Sequence, residues 1–305
     1  MSGLPGFLEG PVTVTVPATS ANLGPGYDAL GLALSLRDRV TATVVDGPGP
    51  EVVVVGEGEG QVPLDERHLV HRSMVAAFEH MGRATPPVRL RCDNVIPHGR
   101  GLGSSSAAIV AGVCAARGLV AGGSLLMDDD AVFALAADLE GHPDNVAPAF
   151  YGGFTVAYAE GGRFRAAQAT VDPRVSVVVF IPPDAVETAV ARGLLPETVS
   201  HQDAARNAGR AALLVTALGG RPELLLAATE DRLHQDYRGP AMPQSLELVH
   251  ELRGAGLPAV ISGAGPTVLV LTDATAQDEV ARRVPSGWRT LSLEVERTGA
   301  EVVPG

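Results

Sequence analysis

Period-two alternation marks the first element of the chain. Val12–Pro17 reads Val-Thr-Val-Thr-Val-Pro, β-branched almost throughout and stopped by proline, the pattern of a half-buried strand. A loop is expected at Thr19–Asp28, then an apolar segment at Ala29–Leu36, then strands at Val40–Val45 and Glu51–Val55 parted by the turn Asp46-Gly-Pro-Gly-Pro50. His68–Met81 carries Leu69, Val70, Ala76 and Ala77 at spacings that gather them on one helical face, and Val88–Cys92 alternates again. Ala107–Val120 is rich in helix formers and poor in polar residues, which predicts a buried helix. Asp128–Asp130 can cap a helix over Ala131–Leu139, and Gly152-Gly153 leads into a strand at Phe154–Tyr158.

After about residue 165 the pattern restarts. A strand at Val175–Ile181 ends at Pro182-Pro183, and helices are expected at His201–Ala217, Pro222–Thr229 and Ser245–Ala255. Strands at Ala259–Ser262 and Thr267–Leu271 flank a glycine loop, followed by a helix at Ala276–Val284 and a last strand at Trp288–Val295. Two successive mixed sets without an internal repeat predict an α+β protein of two lobes, residues 1–165 and 166–305, joined near 160–172.

Composition sharpens this picture. Of 305 residues, 46% are apolar and 19% charged, enough to bury a sizeable core. The net charge of −12 leaves no basic face for nucleic acid or an anionic membrane, so neither is an expected partner. A polyanionic ligand would have to be gathered by local positive potential: backbone N–H groups, a few arginines or a metal ion. Cys92 and Cys114 have no metal-site spacing and read as buried free thiols of a reducing compartment. Met1–Gly10 has neither a basic n-region nor a long apolar stretch, so no signal peptide is expected. The apolar runs fall short of the ~20 residues that span a bilayer, and a cytoplasmic protein is the expectation.

The chemistry concentrates in Pro97-His98-Gly99-Arg100-Gly101-Leu102-Gly103-Ser104-Ser105-Ser106-Ala107. Its glycines permit a tight turn that a ligand can approach closely, and the following helix start offers unpaired N–H groups and a positive dipole end. Those features make an anion site. The serines can cap the helix, donate to phosphate oxygens or present a hydroxyl to Mg²⁺. The stretch lacks the Gly-Lys-Ser/Thr of a P-loop, and Ser106 stands where a dinucleotide fingerprint needs its third glycine.

This Pro-x-x-x-Gly-Leu-Gly-Ser-Ser-Ser-Ala stretch resembles the phosphate motif of the GHMP kinases. Two further segments match that superfamily in order: Val16-Pro-Ala-Thr-Ser-Ala-Asn-Leu-Gly-Pro-Gly-Tyr-Asp28 and Ile261-Ser-Gly-Ala-Gly-Pro-Thr267. The first is close to the homoserine kinase form, which usually has Phe where this chain has Tyr27. Glu140-Gly-His-Pro-Asp-Asn-Val-Ala-Pro148, Thr188-Ala-Val-Ala-Arg192 and Asp231-Arg-Leu-His-Gln-Asp-Tyr-Arg238 also resemble segments of that family, although Asp236 replaces a frequent Pro and His68 replaces a frequent Asn.

The resemblance implies a ribosomal-protein-S5-domain-2-like first lobe, a ferredoxin-like second lobe, ATP and Mg²⁺ as cofactors, L-homoserine as substrate, and a homodimer. It implies that residues 97–107 bind nucleotide, that Glu140 and Ser105 hold the metal, and that Asn22, Asp28, His142, Asp144, Thr188, Arg192, Arg238 and Gly263 bind substrate. Planar guanidinium groups of Arg192 and Arg238 suit a carboxylate, and Asn22 and Asp28 can accept from an ammonium. The resemblance implies a catalytic set of Asp144, Asn145 and Arg192. Asn145 stands where mevalonate kinases carry an Asp, so either no side chain takes the proton and the γ-phosphate or water does, or Asp144 is the nearest base or orienting group. Another GHMP small-molecule kinase, or a nucleotide-binding regulator without catalysis, are the alternatives.

Overall fold

The computed structural model describes residues 6–303; Met1–Pro5, within the segment read for a signal peptide, lie outside the described residues. β1 (Pro11–Asn22) and β2 (Gly26–Val44) form one long hairpin, so the loop expected at Thr19–Asp28 shrinks to its tip. The sequence hides this because residues 18–22 are small or polar, with weak strand preference; they are buried nonetheless. β3 (Glu51–Gly56), α1 (Leu69–His80) and β4 (Val88–Asn94) follow, then α2 (Ser104–Leu119) and α3 (Gly123–Leu126). α4 (Asp129–Glu140) starts where expected, with the Asp128 side chain accepting from Ala131 N–H at 2.8 Å. α5 (Val146–Tyr151), β5 (Phe154–Glu160) and β6 (Arg163–Ala169) close the first half.

The second half holds β7 (Val175–Ile181), α6 (Thr188–Gly193), α7 (His201–Gly220), α8 (Leu225–Ala228), α9 (Gln235–Arg238) and α10 (Pro243–Gly254). β8 (Ala259–Ile261), β9 (Val268–Asp273), α11 (Gln277–Ala281), β10 (Arg289–Glu294) and β11 (Glu301–Val303) complete it.

Two sheets result. The first runs β11-β1-β2-β4-β3, with β5 on β2 and β6 on β5. α2 packs on β1 and β2 with α1 and α4 beside it, which accounts for its apolar composition. The second runs β10-β7-β9-β8, antiparallel throughout. With helices between its first and second strands and between its third and fourth, this is the ferredoxin-like order 4-1-3-2. Val177 and Val179 of β7 join the core shared with the first sheet, and Val178 and Phe180 face α10. Covered on both faces, β7 is apolar at every position but Ser176 and shows no alternation. A division after residue 165 would cut through β6, and β11 returns to the first sheet, pairing Thr13 with Val303.

Candidate active site

The glycine turn forms because three of its residues need left-handed backbone: Gly99, Gly101 and Gly103 have φ of 63°, 77° and 72°. A Cβ at Gly103 would collide with Thr19 Oγ1, and one at Gly101 with the carbonyl oxygens of Ser262 and Gly265. The turn's carbonyls are all drawn into the surrounding protein. Gly99 O accepts from Val186 N–H, Arg100 O from Thr267 N–H and Leu102 O from Thr19 N–H, while Ser262 Oγ donates to Gly101 O at 2.6 Å. The amides of residues 99–106 donate no hydrogen bond among the described residues. Acceptors point away and donors remain, which is the arrangement an anion requires.

α2 begins at Ser104 with Gly103 as its N-cap and no side-chain cap, so the serines do not cap it. Ser105 and Ser106 instead donate through Oγ to Glu140 Oε1, at 2.6 and 3.0 Å, across from the C-terminal end of α4. Ser104 and Ser105 line the cleft, whereas Ser106 is buried. Other residues of the motif serve the frame. Leu102 and Ala107 lie in the core, His98 packs on the turn at Gly58, and Arg100 donates to the carbonyls of Pro182 and Pro183 beyond β7.

A cleft of about 470 Å³ opens beside the turn. It is lined by Gly99, Gly101, Gly103, Ser104 and Ser105 on one side and by Glu140, His142, Asp144 and Asn145 on another. Asn22, Thr188, Arg192, Arg238 and Gly263 lie on it as well, so the structure brings part of the glycine turn together with all but one of the expected site residues outside it, from six separate stretches of chain. Asp28 is not on its wall.

Three buried nitrogens at this cleft lack any protein partner: His142 Nδ1, Arg192 Nε and Arg238 Nε. Arg238 is 1% exposed, with Nη1 donating to Gly263 O at 3.2 Å and facing His234 Nδ1 at 3.2 Å. His234 Nε2 lies 2.8 Å from Gly24 O, so the ring donates there and accepts from Arg238, and burial holds it neutral by lowering its pKa. An almost fully enclosed guanidinium with an unpaired Nε is suited to an anionic partner.

Arg192 is already engaged. Its Nη2 and Nη1 donate to Asp28 at 2.6 and 3.1 Å, and Nη1 also donates to Tyr27 Oη at 2.8 Å. Asn22 sits at φ 67°, with Nδ2 donating to Gly263 O and Oδ1 accepting from Asp28 N–H, so it ties the hairpin tip to the glycine loop after β8. Asn145 Oδ1 accepts from Thr19 Oγ1 at 2.8 Å.

Asp144 is 3% exposed, and its Oδ1 accepts from Asn145 N–H. His142 Nδ1 stands 3.8 Å away, beyond hydrogen-bonding distance. Burial, reinforced by the charge of Asp28, pushes the Asp144 carboxyl up to about 6. Thr19, Tyr27, His234 and Ser262 brace the site but were not marked out as site residues. All four lie inside matched segments, which is the signal that could have found them; that Tyr27 and His234 serve the arginines shows only in their contacts.

Among the described residues no cluster of three or more His, Cys, Asp or Glu is placed to hold a metal, and no helix is long and apolar enough to cross a membrane.

An α+β fold that turns bare amides and orphaned guanidinium groups into one cleft defines a small-molecule phosphotransferase of the GHMP class. Residues 68–153 match the GHMP kinases N terminal domain and 204–290 the GHMP kinases C terminal domain. Homoserine kinase of Streptomyces avermitilis is 55% identical, over 98% of each chain, and that of Streptomyces coelicolor 54% identical, over 98% of this chain and 97% of its own. The crystal structure of homoserine kinase from Cytophaga hutchinsonii superposes with a TM-score of 0.84 at 25% identity, over 99% of both chains. Mevalonate pyrophosphate decarboxylase from Streptococcus pyogenes shares the fold, with a TM-score of 0.64 over 97% of this chain and 98% of its own. The chain belongs to the homoserine kinase family of the GHMP kinases.

Proposed function

We propose that this protein transfers the γ-phosphoryl group of MgATP to the hydroxyl of L-homoserine, giving O-phospho-L-homoserine for threonine biosynthesis. The observation that carries the reading is the glycine turn, whose carbonyls are consumed by the fold and whose amides are left for an anion, opening into a cleft with unpartnered guanidinium nitrogens. Phosphoryl transfer needs alignment and charge neutralisation more than covalent help, and such a frame supplies both.

In this reading residues 97–107 take the triphosphate. The Glu140 carboxylate and the Ser105 hydroxyl are hard oxygen donors held together, which fits Mg²⁺, an ion that binds through one or two carboxylates and substrate phosphates. When bound there it would neutralise phosphate charge. Arg238 receives the substrate carboxylate, and Arg192 shares its guanidinium between that carboxylate and Asp28. Thr188, Gly263, Asn22 and His142 shape the remaining wall, Asp144 meets the hydroxyl end, and Asp28, set back from the wall, reaches the ammonium only as its hold on Arg192 is shared with the substrate. Asp144, with its pKa lifted toward neutrality, is the side chain able to accept the hydroxyl proton, and Asn145 orients the acceptor. The first sheet with its helices serves as the nucleotide lobe and the second closes the cleft, in a homodimeric, cytoplasmic enzyme.

A coupled ADP-release assay with L-homoserine, L-serine, L-threonine and mevalonate tests the assignment. Homoserine is expected to exceed each of the others in kcat/KM by at least about a hundredfold: mevalonate has no ammonium and leaves its acceptors unpaired, and the hydroxyls of serine and threonine stand one carbon closer to the ammonium, out of line with the γ-phosphorus. Preference for mevalonate would overturn it.

A further inference from the structure

We propose that Tyr27 is a positioning residue for substrate binding: its hydroxyl and ring hold the guanidinium groups of Arg192 and Arg238 ready for an amino-acid carboxylate. The inference rests on the reading of the cleft as the homoserine site. Tyr27 follows the hairpin tip at the start of β2, and its Oη accepts from Arg192 Nη1 at 2.8 Å. The guanidinium carbons of Arg192 and Arg238 lie 5.7 and 5.4 Å from its ring centroid, and the ring packs on His234 with centroids 5.3 Å apart.

One aromatic ring therefore touches both cations that line the cleft. Two guanidinium groups facing one ligand repel each other, and the negative face of an aromatic ring offsets part of that repulsion. Arg192 comes from α6, a short helix whose residues are mostly exposed, so its long side chain needs a tether to be ordered before substrate arrives. Asp28 is one tether, but its carboxylate competes with a substrate carboxylate for the same guanidinium. The Tyr27 hydroxyl has no such conflict. Burial and then the charge of Asp28 raise its pKa, so it is a neutral acceptor that fixes Arg192 without cancelling its charge. The two tethers divide the work: Asp28 sets the direction of the guanidinium, and Tyr27 retains it when the substrate carboxylate displaces an Asp28 oxygen.

Tyr27→Phe keeps the ring, its contact with His234 and both cation–π contacts, and removes one oxygen. Steady-state kinetics of wild type and variant, with L-homoserine and MgATP varied separately, read the effect. L-2-aminobutyrate, which has the carboxylate and ammonium but no hydroxyl, serves as competitive inhibitor. The expected result is a KM for homoserine and an inhibition constant for aminobutyrate raised by the same factor, about fivefold, with kcat and the KM for MgATP within about twofold. A KM for homoserine within about 1.5-fold of wild type, or one that rises together with the KM for MgATP, overturns the inference while leaving the proposed reaction intact. Wild type that turns over no homoserine overturns the proposed reaction and this inference with it.

Discussion

Asp144 is the carboxyl of the cleft whose pKa the fold moves clearly upward. Its burial outweighs the attraction of His142 and Arg192, and its pKa rises from 3.8 to about 6. The sign follows directly: a raised carboxyl is protonated below about 6, so the form that accepts a proton or meets an ammonium is filled only above it. At saturating MgATP, kcat/KM for homoserine is therefore expected to fall below pH 6 on a single-proton limb and to level off above it. Asp144→Asn should flatten that limb and lower kcat by on the order of a hundredfold or more with little change in KM, if the residue takes the proton. A variant that raises KM and spares kcat would make Asp144 a binding group. Individual roles of this kind were half legible in the sequence. The matched segments named Arg192 and Arg238 as a pair, but the sequence could not foresee that Asp28 already occupies Arg192 with both oxygens while Arg238 has no carboxylate partner and donates to Gly263 O. That difference depends on a hairpin tip and a short helix more than 150 positions apart meeting in space.

At the scale of elements, the turn before α2 explains itself once its backbone angles are known. The glycine spacing announced an anion site, and the structure supplies the reason: positive φ at Gly99, Gly101 and Gly103 rotates the carbonyls toward neighbouring segments and leaves the amides bare. Gly101→Val faces both a left-handed backbone and the carbonyl oxygens of Ser262 and Gly265, so it is expected to raise the KM for MgATP by at least about tenfold. Unchanged kinetics would remove the turn from nucleotide binding. The lead into the turn is fixed from behind. Asp38 of β2 accepts through Oδ1 from Val95 and Ile96 N–H at 2.6 and 2.9 Å, just ahead of Pro97.

Burial raises Asp38 from 3.8 to about 6 although both amides oppose the rise. Its folded pKa lies above its unfolded value, so the stability it contributes is present below 3.8 and is lost as pH rises to about 6. Wild type should accordingly lose stability relative to Asp38→Asn across that window, in urea melts at successive pH values, and hold a constant difference above it. A difference that grows in favour of wild type as pH rises would contradict this. Asp38, placed mid-strand among alternating residues, gave no sequence signal; its role exists only because β4 ends beside it. The strands β6 and β11 were missed for a related reason. Arg163–Ala169 is polar and alanine-rich, and Glu301–Val303 is too short for a period to register, so pairing with β5 and β1 decides both.

For the whole molecule, charge sets the problem that the fold solves. The chain carries −12 and contains no lysine; all 23 of its basic residues are arginine. No flexible ammonium can reach a phosphate, so positive potential must come from fixed amides, a metal ion and arginines whose planar forks are held in place. Both sheets contribute, since Gly101 O and Arg100 O are held by Ser262 and Thr267 of the second half while Glu140 and Asn22 come from the first. Two-lobed α+β organisation was legible in the restarting pattern, but the return of β11 to the first sheet was not.

The proposed reaction leaves phosphorus on the homoserine hydroxyl. Phosphorus NMR of a reaction of purified protein with MgATP and L-homoserine observes that bond directly. A growing monoester resonance, split by the two protons of the adjacent methylene and matched by ADP, is the predicted result. Hydrolysis to inorganic phosphate alone, or no consumption of ATP while homoserine binds, would contradict it.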